Sequence, residues 1–311
     1  MLRKGACQTG KATTGMNVSV IVCTRNRGNG LVPCLERLEE MEVTPGLAWE
    51  LVIVDNGSTD DTASAVRGFA EKSRLDVRYL FEGRPGLSHA RNTGIAAATG
   101  DVIAFTDDDC MVDGSWLATI EREFQGDRGL AGLGGRVELF DARDKPITIT
   151  TSKERQTLSL SHDVELAGFI NGCNMAFSRA AFEEVGPFDT RLGAGTRIAS
   201  GEDSDFLYRL LKSGLKVIYV PDVLVYHNHG RRTDAEVEKL MKGYAIGRGA
   251  FYSKHIMKRD TFILKSAYWE IRSLVRAVRT KEMPKERRKK ARFLLRHLFT
   301  GFTLYCITAG R

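Results

Sequence analysis

The six cysteines of this 311-residue chain, Cys7, Cys23, Cys34, Cys110, Cys173 and Cys306, include no C-x-x-C pair, which removes the spacing of a zinc ribbon or a dithiol redox centre. No apolar stretch followed by a cleavage site opens the sequence, so the reading is a reduced, cytoplasmic chain. No internal repeat or low-complexity tract is found, which sets aside solenoids and biased linkers. Near the C-terminus 14 uncharged residues run from His297 to Gly310, fewer than the ~18–20 that span a bilayer. What remains is an ordinary globular composition, 42% hydrophobic and 27% charged, long enough for one large domain and an appendage.

The net charge of +7 is unevenly laid out. Residues 1–230 hold 25 Lys+Arg against 32 Asp+Glu, a balance of −7, whereas residues 231–311 hold 21 against 7, a balance of +14. Two segments with different partners are implied. Residues 1–15 have no periodicity and read as a loose tail.

"VSVIVCT" (18–24) and "ELVIVD" (50–55) are apolar runs rich in Val and Ile, the pattern of strands covered on both faces. Helical spacing at Leu31, Leu35, Leu38 and Met41 lies between them. A second helix is expected over 60–72, capped by Ser58 or Asp60, then a strand at 77–81, a helix over "LSHARNTGIAAA" and a strand over "DVIAFT". Such alternation predicts an α/β, doubly wound, mostly parallel sheet, whose ligands gather at the carboxyl ends of the strands. Polar clusters stand at those ends: "TRNR", "DNGSTDD" and "TDDD". Further on, "LAGLGGRVELF" reads as a strand, 140–165 as a polar excursion, and "GFINGCNMAFSR" as a strand entering a short helix. A helix over 203–213 stops at Gly214, and "KVIYVPDVLVYHNH" gives one or two strands ending at His227 and His229.

Three adjacent aspartates, Asp107, Asp108 and Asp109, repel one another unless something cationic sits among them. A solvated turn would carry the same triplet. Asp107 and Asp109, two apart at a strand end, can instead point the same way around Mn²⁺ or Mg²⁺ holding a diphosphate. Asp55, at the end of the second strand, is placed to meet a nucleobase or ribose, although the turn after it also suits a helix cap. Glu202 and Asp203 open a helix, where acids are common because the dipole favours them. Cys173 has no base placed by sequence to make it a nucleophile.

"VSVIVCTRNR", "VDNGSTDDT", "GLSHARNTGIAAATGDVIAFTDDD", "GEDSDFLYRLLKSG" and "PDVLVYH" together resemble glycosyltransferase family 2, inverting enzymes of the A-type glycosyltransferase fold, in order and spacing over residues 17–230. The resemblance implies a Rossmann-like sheet and a catalytic domain over 16–230, while the charge balance and helical spacing mark a basic, helical segment over 231–311. It implies Thr24 and Arg25 beside the nucleotide, Asp55 at its base, Arg91 at the diphosphate, and Asp107 at the ribose and metal shell. Asp109 would be the direct ligand of Mn²⁺ or Mg²⁺ and His227 a second, with His229 equally placed on sequence alone. Asp108, within the same nucleotide-sugar set, would face elsewhere. Asp203 would be the general base and Glu202 would bind acceptor, and Asn171 to Asn174 would border the donor sugar and acceptor. The implied reaction moves a sugar from a nucleoside diphosphate donor to a hydroxyl of a saccharide or lipid-linked acceptor, in cell-surface polysaccharide or glycolipid synthesis. A sugar-nucleotide nucleotidyltransferase would show a Gly-rich phosphate loop after the first strand, which "CTRNRGNG" fits poorly. A non-catalytic scaffold is the other alternative.

The +14 segment has an amphipathic pattern from Tyr268, and a basic cluster beside Phe293, Leu294, Leu298, Phe299 and Phe302. The expectation is a segment lying on an anionic membrane surface, at the inner face of the cell membrane, with no nucleic-acid role. A helix packed on the catalytic domain is the alternative.

Overall fold

Strands rich in Val and Ile form the centre of a mixed sheet in the computed structural model, buried on both faces. The structure describes residues 16–160 and 170–309; the tail expected over 1–15, and residues 161–169 of the polar excursion and the strand after it, lie outside the described residues. In chain order the elements are β1 (Asn17–Thr24), α1 (Val32–Glu39), β2 (Ala48–Asp55), α2 (Thr62–Ala70), β3 (Val77–Phe81), α3 (Leu87–Ala97), β4 (Val102–Asp107), β5 (Cys110–Val112) and α4 (Trp116–Gly126). There follow β6 (Leu130–Leu139), β7 (Gln156–Thr157), β8 (Asn174–Ser178), α5 (Arg179–Val185), α6 (Glu202–Lys212), β9 (Lys216–His227), α7 (Asp234–Met257), α8 (Thr261–Arg279) and α9 (Lys285–Ala309).

The sheet order is β3-β2-β1-β4-β8-β6-β9-β5, with β7 on β9. β3, β2, β1 and β4 are parallel, as their alternation with helices predicts. β8 runs antiparallel between β4 and β6, and β5 antiparallel to β9. Successive residues of β1 serve opposite faces. Val20 and Val22 share a core with Leu35 of α1, Val66 of α2 and Trp116 of α4, while Ile21 shares one with Ala90 of α3, Phe182 of α5 and Phe206 of α6.

Local chemistry adjusts the expected boundaries. α6 begins at Glu202 rather than 203 because Gly201 takes φ +97° as its N-cap, open to glycine and costly for other residues. At the start of α2 the capping side chain is Asp60, whose Oδ1 accepts from the Thr62 N–H at 3.0 Å, while the N-cap position itself is Asp61. β9 is a single strand: Pro221 has no N–H to give, and pairing with β6 slips there from Gly135↔Val220 to Arg136↔Leu224.

After β9 the chain forms three helices. α7 and α9 cross closely, since a Cβ at Gly249 would collide with the Leu298 carbonyl and one at Gly301 with the Ile246 carbonyl. α9 therefore turns Leu298 and Tyr305 inward, 4% and 2% exposed, and the packed-helix alternative describes that face. The grouping of Leu298 with Phe299 as one outward set is corrected: Phe299 is 57% exposed, whereas Phe293 lies edge-on to His297. Among the described residues, no helix is long and apolar enough to cross a membrane.

Buried charge joins these helices to α6. Lys254 of α7, 5% exposed, donates to Asp205 of α6 and to Asp189, each at 2.8 Å. Asp205 also receives Arg209 Nε at 2.9 Å and faces His255 Nε2 at 3.0 Å; burial opposes its charge, but these partners hold its carboxyl down to about 2. Tyr305 of α9 donates to Asp189 at 2.9 Å. Removing one member of a buried ionic cluster leaves the others uncompensated, so Lys254→Met should destabilise the fold by about 3 kcal/mol. Urea unfolding checks this, and a loss under about 1 kcal/mol would mean that Arg209, His255 and Arg191, which pairs with Asp189 at 2.7 Å, suffice alone.

Candidate active site

Parallel register sets Thr24 level with Asp55 and Cys23 level with Asp107, so three strands deliver polar ends to one edge of the sheet. Asp107 closes β4, Asp108 and Asp109 form the turn, and Cys110 opens β5. Because β5 pairs antiparallel with β9, Cys110 lies opposite His227, and the Asn228 N–H donates to the Asp109 carbonyl at 2.9 Å. A three-residue strand thus carries the acidic turn to the end of β9.

Cations do sit among the aspartates. Arg27, in the loop after β1, binds Asp108 Oδ1 through Nε at 2.9 Å and Asp109 Oδ2 through Nη2 at 2.7 Å. Asp108 also accepts from Thr24 Oγ1 at 2.7 Å, yet it shares Arg27 with Asp109 and lines the same cleft as both its neighbours, so the middle acid does not face elsewhere. Asp109 Oδ1 lies 3.3 Å from His227 Nε2. Burial disfavours the Asp109 charge, but His227 and Arg27 outweigh it and hold the carboxyl below its usual range. Burial likewise opposes a charged His227, yet Asp109 lifts the imidazole to about 9. His229 goes elsewhere, with Nδ1 3.6 Å from Asp144 and Nε2 3.2 Å from the Lys145 carbonyl. Asp107 is raised to about 6 by withdrawal from water, against the pull of Arg91.

The opposite wall comes from α3 and α6. Arg91, 2% exposed, places Nη1 2.9 Å from Glu202 Oε1 and Nη2 3.7 Å from Asp107 Oδ1, and it donates to the Gly172 carbonyl at 3.1 Å. Burial and the adjacent Asp203 push the Glu202 carboxyl up, against Arg91. Asp203 is half-buried, and its Oδ1 accepts from the Ser204 N–H at 2.7 Å. Between the walls lies a cleft of about 330 Å³ that reaches Arg91, Asp107, Asp109, His227 and Asp203. Asn171, Gly172 and Cys173 border the same space.

Sequence reasoning missed Arg27, although "TRNR" contains it, and it missed Arg231, Leu240 and Tyr244, which line the cleft from the β9–α7 connection and α7. Arg231 Nη1 is buried with no hydrogen-bond partner among the described residues. A pair of arginines after a strand, Arg231 and Arg232, carries no sequence signal for which of them turns into a cleft. Two expected site residues are already engaged within the protein. Arg91 sits behind Asp107 and Glu202, engaged by both. Asp55 is 1% exposed and already accepts from Tyr79 Oη at 2.7 Å and the Ser58 N–H at 2.7 Å. Arg25 is exposed beside Thr24.

The likeness to known proteins follows this geometry. Residues 19–186 match glycosyl transferase family 2. Glycosyltransferase AglE of Haloferax volcanii is 27% identical over 238 residues, 75% of this chain and 72% of that protein. The glucosyl-dolichyl phosphate glucuronosyltransferase of Haloferax volcanii is 27% identical over 223 residues, 68% of this chain and 69% of its own. Among solved structures, the mannosyltransferase PcManGT from Pyrobaculum calidifontis, in complex with GDP-Man and Mn²⁺, superposes with a TM-score of 0.61 at 20% identity, covering 94% of this chain and 88% of that one. With a matched segment over half its length, relatives that are glycosyltransferases and a shared A-type fold, the chain belongs to glycosyl transferase family 2 and is a glycosyltransferase.

Proposed function

We propose that this glycosyltransferase is metal-dependent and inverting, moving a sugar from a nucleoside diphosphate donor to a hydroxyl of a saccharide or lipid-linked acceptor, in cell-surface polysaccharide or glycolipid synthesis. The observation that carries the reading is a single cleft with Asp109 and His227 on one side and Asp203 on the other. A carboxylate with an imidazole suits Mn²⁺, and oxygen donors alone suit Mg²⁺; Asp109 and His227 would hold the ion, with Asp107 beside them. Bound there, the ion would neutralise the departing diphosphate. Arg231 Nη1, buried without a hydrogen-bond partner among the described residues, fits this reading, because a phosphate oxygen would give it an acceptor. Thr24, Arg25 and Asp55, at the ends of β1 and β2, would meet the nucleoside, with Thr24 also holding Asp108.

Asp203 takes the proton of the acceptor hydroxyl in a single in-line displacement, its Oδ1 held by the Ser204 N–H at the start of α6 and its other oxygen left for the acceptor. Glu202 is locked to Arg91 and therefore orients the acceptor side rather than exchanging protons. Leu240 and Tyr244 complete that side, so α7 has a share in acceptor choice. The relative whose name joins glucose to dolichyl phosphate supports a lipid-linked acceptor. Thermal unfolding with UDP-, GDP- and dTDP-sugars tests the reading: one donor should raise Tm in Mn²⁺ and not after chelation, whereas a Tm indifferent to every donor counts against it.

A peripheral position on an anionic membrane is part of the same proposal, carried by α8 more than by α9. Leu264, Tyr268 and Trp269 are 52%, 55% and 58% exposed, with Arg272 stacked 5.1 Å over Trp269 and Arg276 and Arg279 following. Aromatic residues beside arginines suit headgroups above an acyl layer, each basic residue contributing ~1 kcal/mol. Vesicles with anionic lipid at low salt should sediment the protein, and Trp269→Ala with Arg272→Glu and Arg276→Glu should leave most of it in solution. Equal partitioning of both proteins would defeat the membrane reading. Deleting α9 is the poorer test, because it strips the buried face of α7.

A further inference from the structure

We propose that Cys110, Cys173 and His227 form a second metal site, for a thiophilic divalent ion such as Zn²⁺, which excludes the donor-binding ion by drawing His227 and Asp109 away from it. Cys110 of β5 and His227 of β9 are register partners across an antiparallel pair, which sets their side chains on one face of the sheet. Cys173 enters from the turn before β8. Two sulfurs and an imidazole nitrogen lie within 4.8 Å of one another. Three atoms so spaced share a centre no more than about 2.8 Å from each, and shifts of roughly half an ångström reach the ~2.0–2.3 Å of zinc–nitrogen and zinc–sulfur bonds.

A fourth donor is at hand. Asp109 Oδ1 lies 3.8 Å from Cys110 Sγ and 3.3 Å from His227 Nε2, completing the four ligands that zinc prefers. All three core residues are buried, at 0%, 4% and 7% exposure, while Cys173 and His227 line the cleft and give an ion its way in. Thiolate donors discriminate against Mg²⁺ and Mn²⁺, which prefer oxygen, so the two kinds of ion would read different parts of one neighbourhood. Binding releases the two thiol protons to water, together with the imidazole proton where it is present. The ligands are 63 and 54 residues apart in sequence, so no spacing motif betrays them.

The thiolate site stands on its own geometry; only the exclusion rests on the donor-metal reading above. Titrating the full chain with Co²⁺ should give a thiolate-to-metal charge-transfer band that saturates at one ion per chain and is abolished by Zn²⁺. Cys110→Ser and Cys173→Ser should each weaken the band and cost Zn²⁺ more than the roughly 10–100-fold affinity that an outer-shell change costs, and the double substitution should abolish it. Free Mn²⁺, followed by its paramagnetic resonance, should rise by one ion for each Zn²⁺ bound. A wild-type protein that binds Co²⁺ without a thiolate band, or a double variant that keeps the band through Cys23, Cys34 or Cys306, overturns the site. Mn²⁺ that stays bound at saturating Zn²⁺ overturns the exclusion. A thiolate band in a protein that never binds Mn²⁺ supports the site and counts against the donor-metal reading.

Discussion

Asp109→Asn is expected to abolish Mn²⁺-dependent donor binding. Asp109 is the one acid of the triplet that meets both Arg27 and His227, so its carboxylate is the hinge between the β4–β5 turn and the end of β9. The amide keeps the shape and one acceptor oxygen but loses the charge that a cation carrying a diphosphate needs. Losing one partner of a close charge pair costs a few kcal/mol, on the order of 100-fold or more in affinity. Calorimetry with the stabilising donor in Mn²⁺ measures it. The fold should persist, because Arg27 keeps Asp108 at 2.9 Å and the register of β5 on β9 is set by the backbone. Unchanged donor affinity would remove Asp109 from the metal site.

Asp203→Asn should behave in the opposite way, with donor affinity in Mn²⁺ nearly unchanged and turnover lower by ~10²–10⁴-fold. A base acts only as the acceptor proton moves, so its loss appears in kcat rather than in donor binding. The comparison with Glu202→Gln is informative. Glu202 is the buried partner of Arg91, and Arg91 also faces Asp107, so that change should disturb the donor side as well. Near-normal turnover by Asp203→Asn would leave Asp203 as a helix-terminal acid and no more.

The parallel half of the sheet was legible because β1, β2 and β4 are apolar without alternation, and the polar ends after them are what such strands carry. The antiparallel β5 was not: three residues give no period, although their pairing decides that His227 rather than His229 stands at Asp109. The acidic turn advertised a need for positive charge but not its source. Arg27 is 81 residues from Asp108 in the chain, and only the parallel order of β1 and β4 makes them neighbours. Arg91 sits in an ordinary helical sequence, and its burial between Asp107 and Glu202 depends on how α3 meets α6. Composition located the basic C-terminal segment, yet the glycines that let α9 sink against α7 read as neutral spacing until the crossing is seen.

The most direct measurement is anomalous scattering from crystals grown with Mn²⁺ and the nucleoside diphosphate of the stabilising donor. One strong manganese peak is expected in contact with the Asp109 carboxylate and the His227 imidazole, with the diphosphate reaching toward Arg231. Nucleotide bound with no manganese peak beside Asp109, or a peak held by residues outside this cleft, would contradict the metal-site reading.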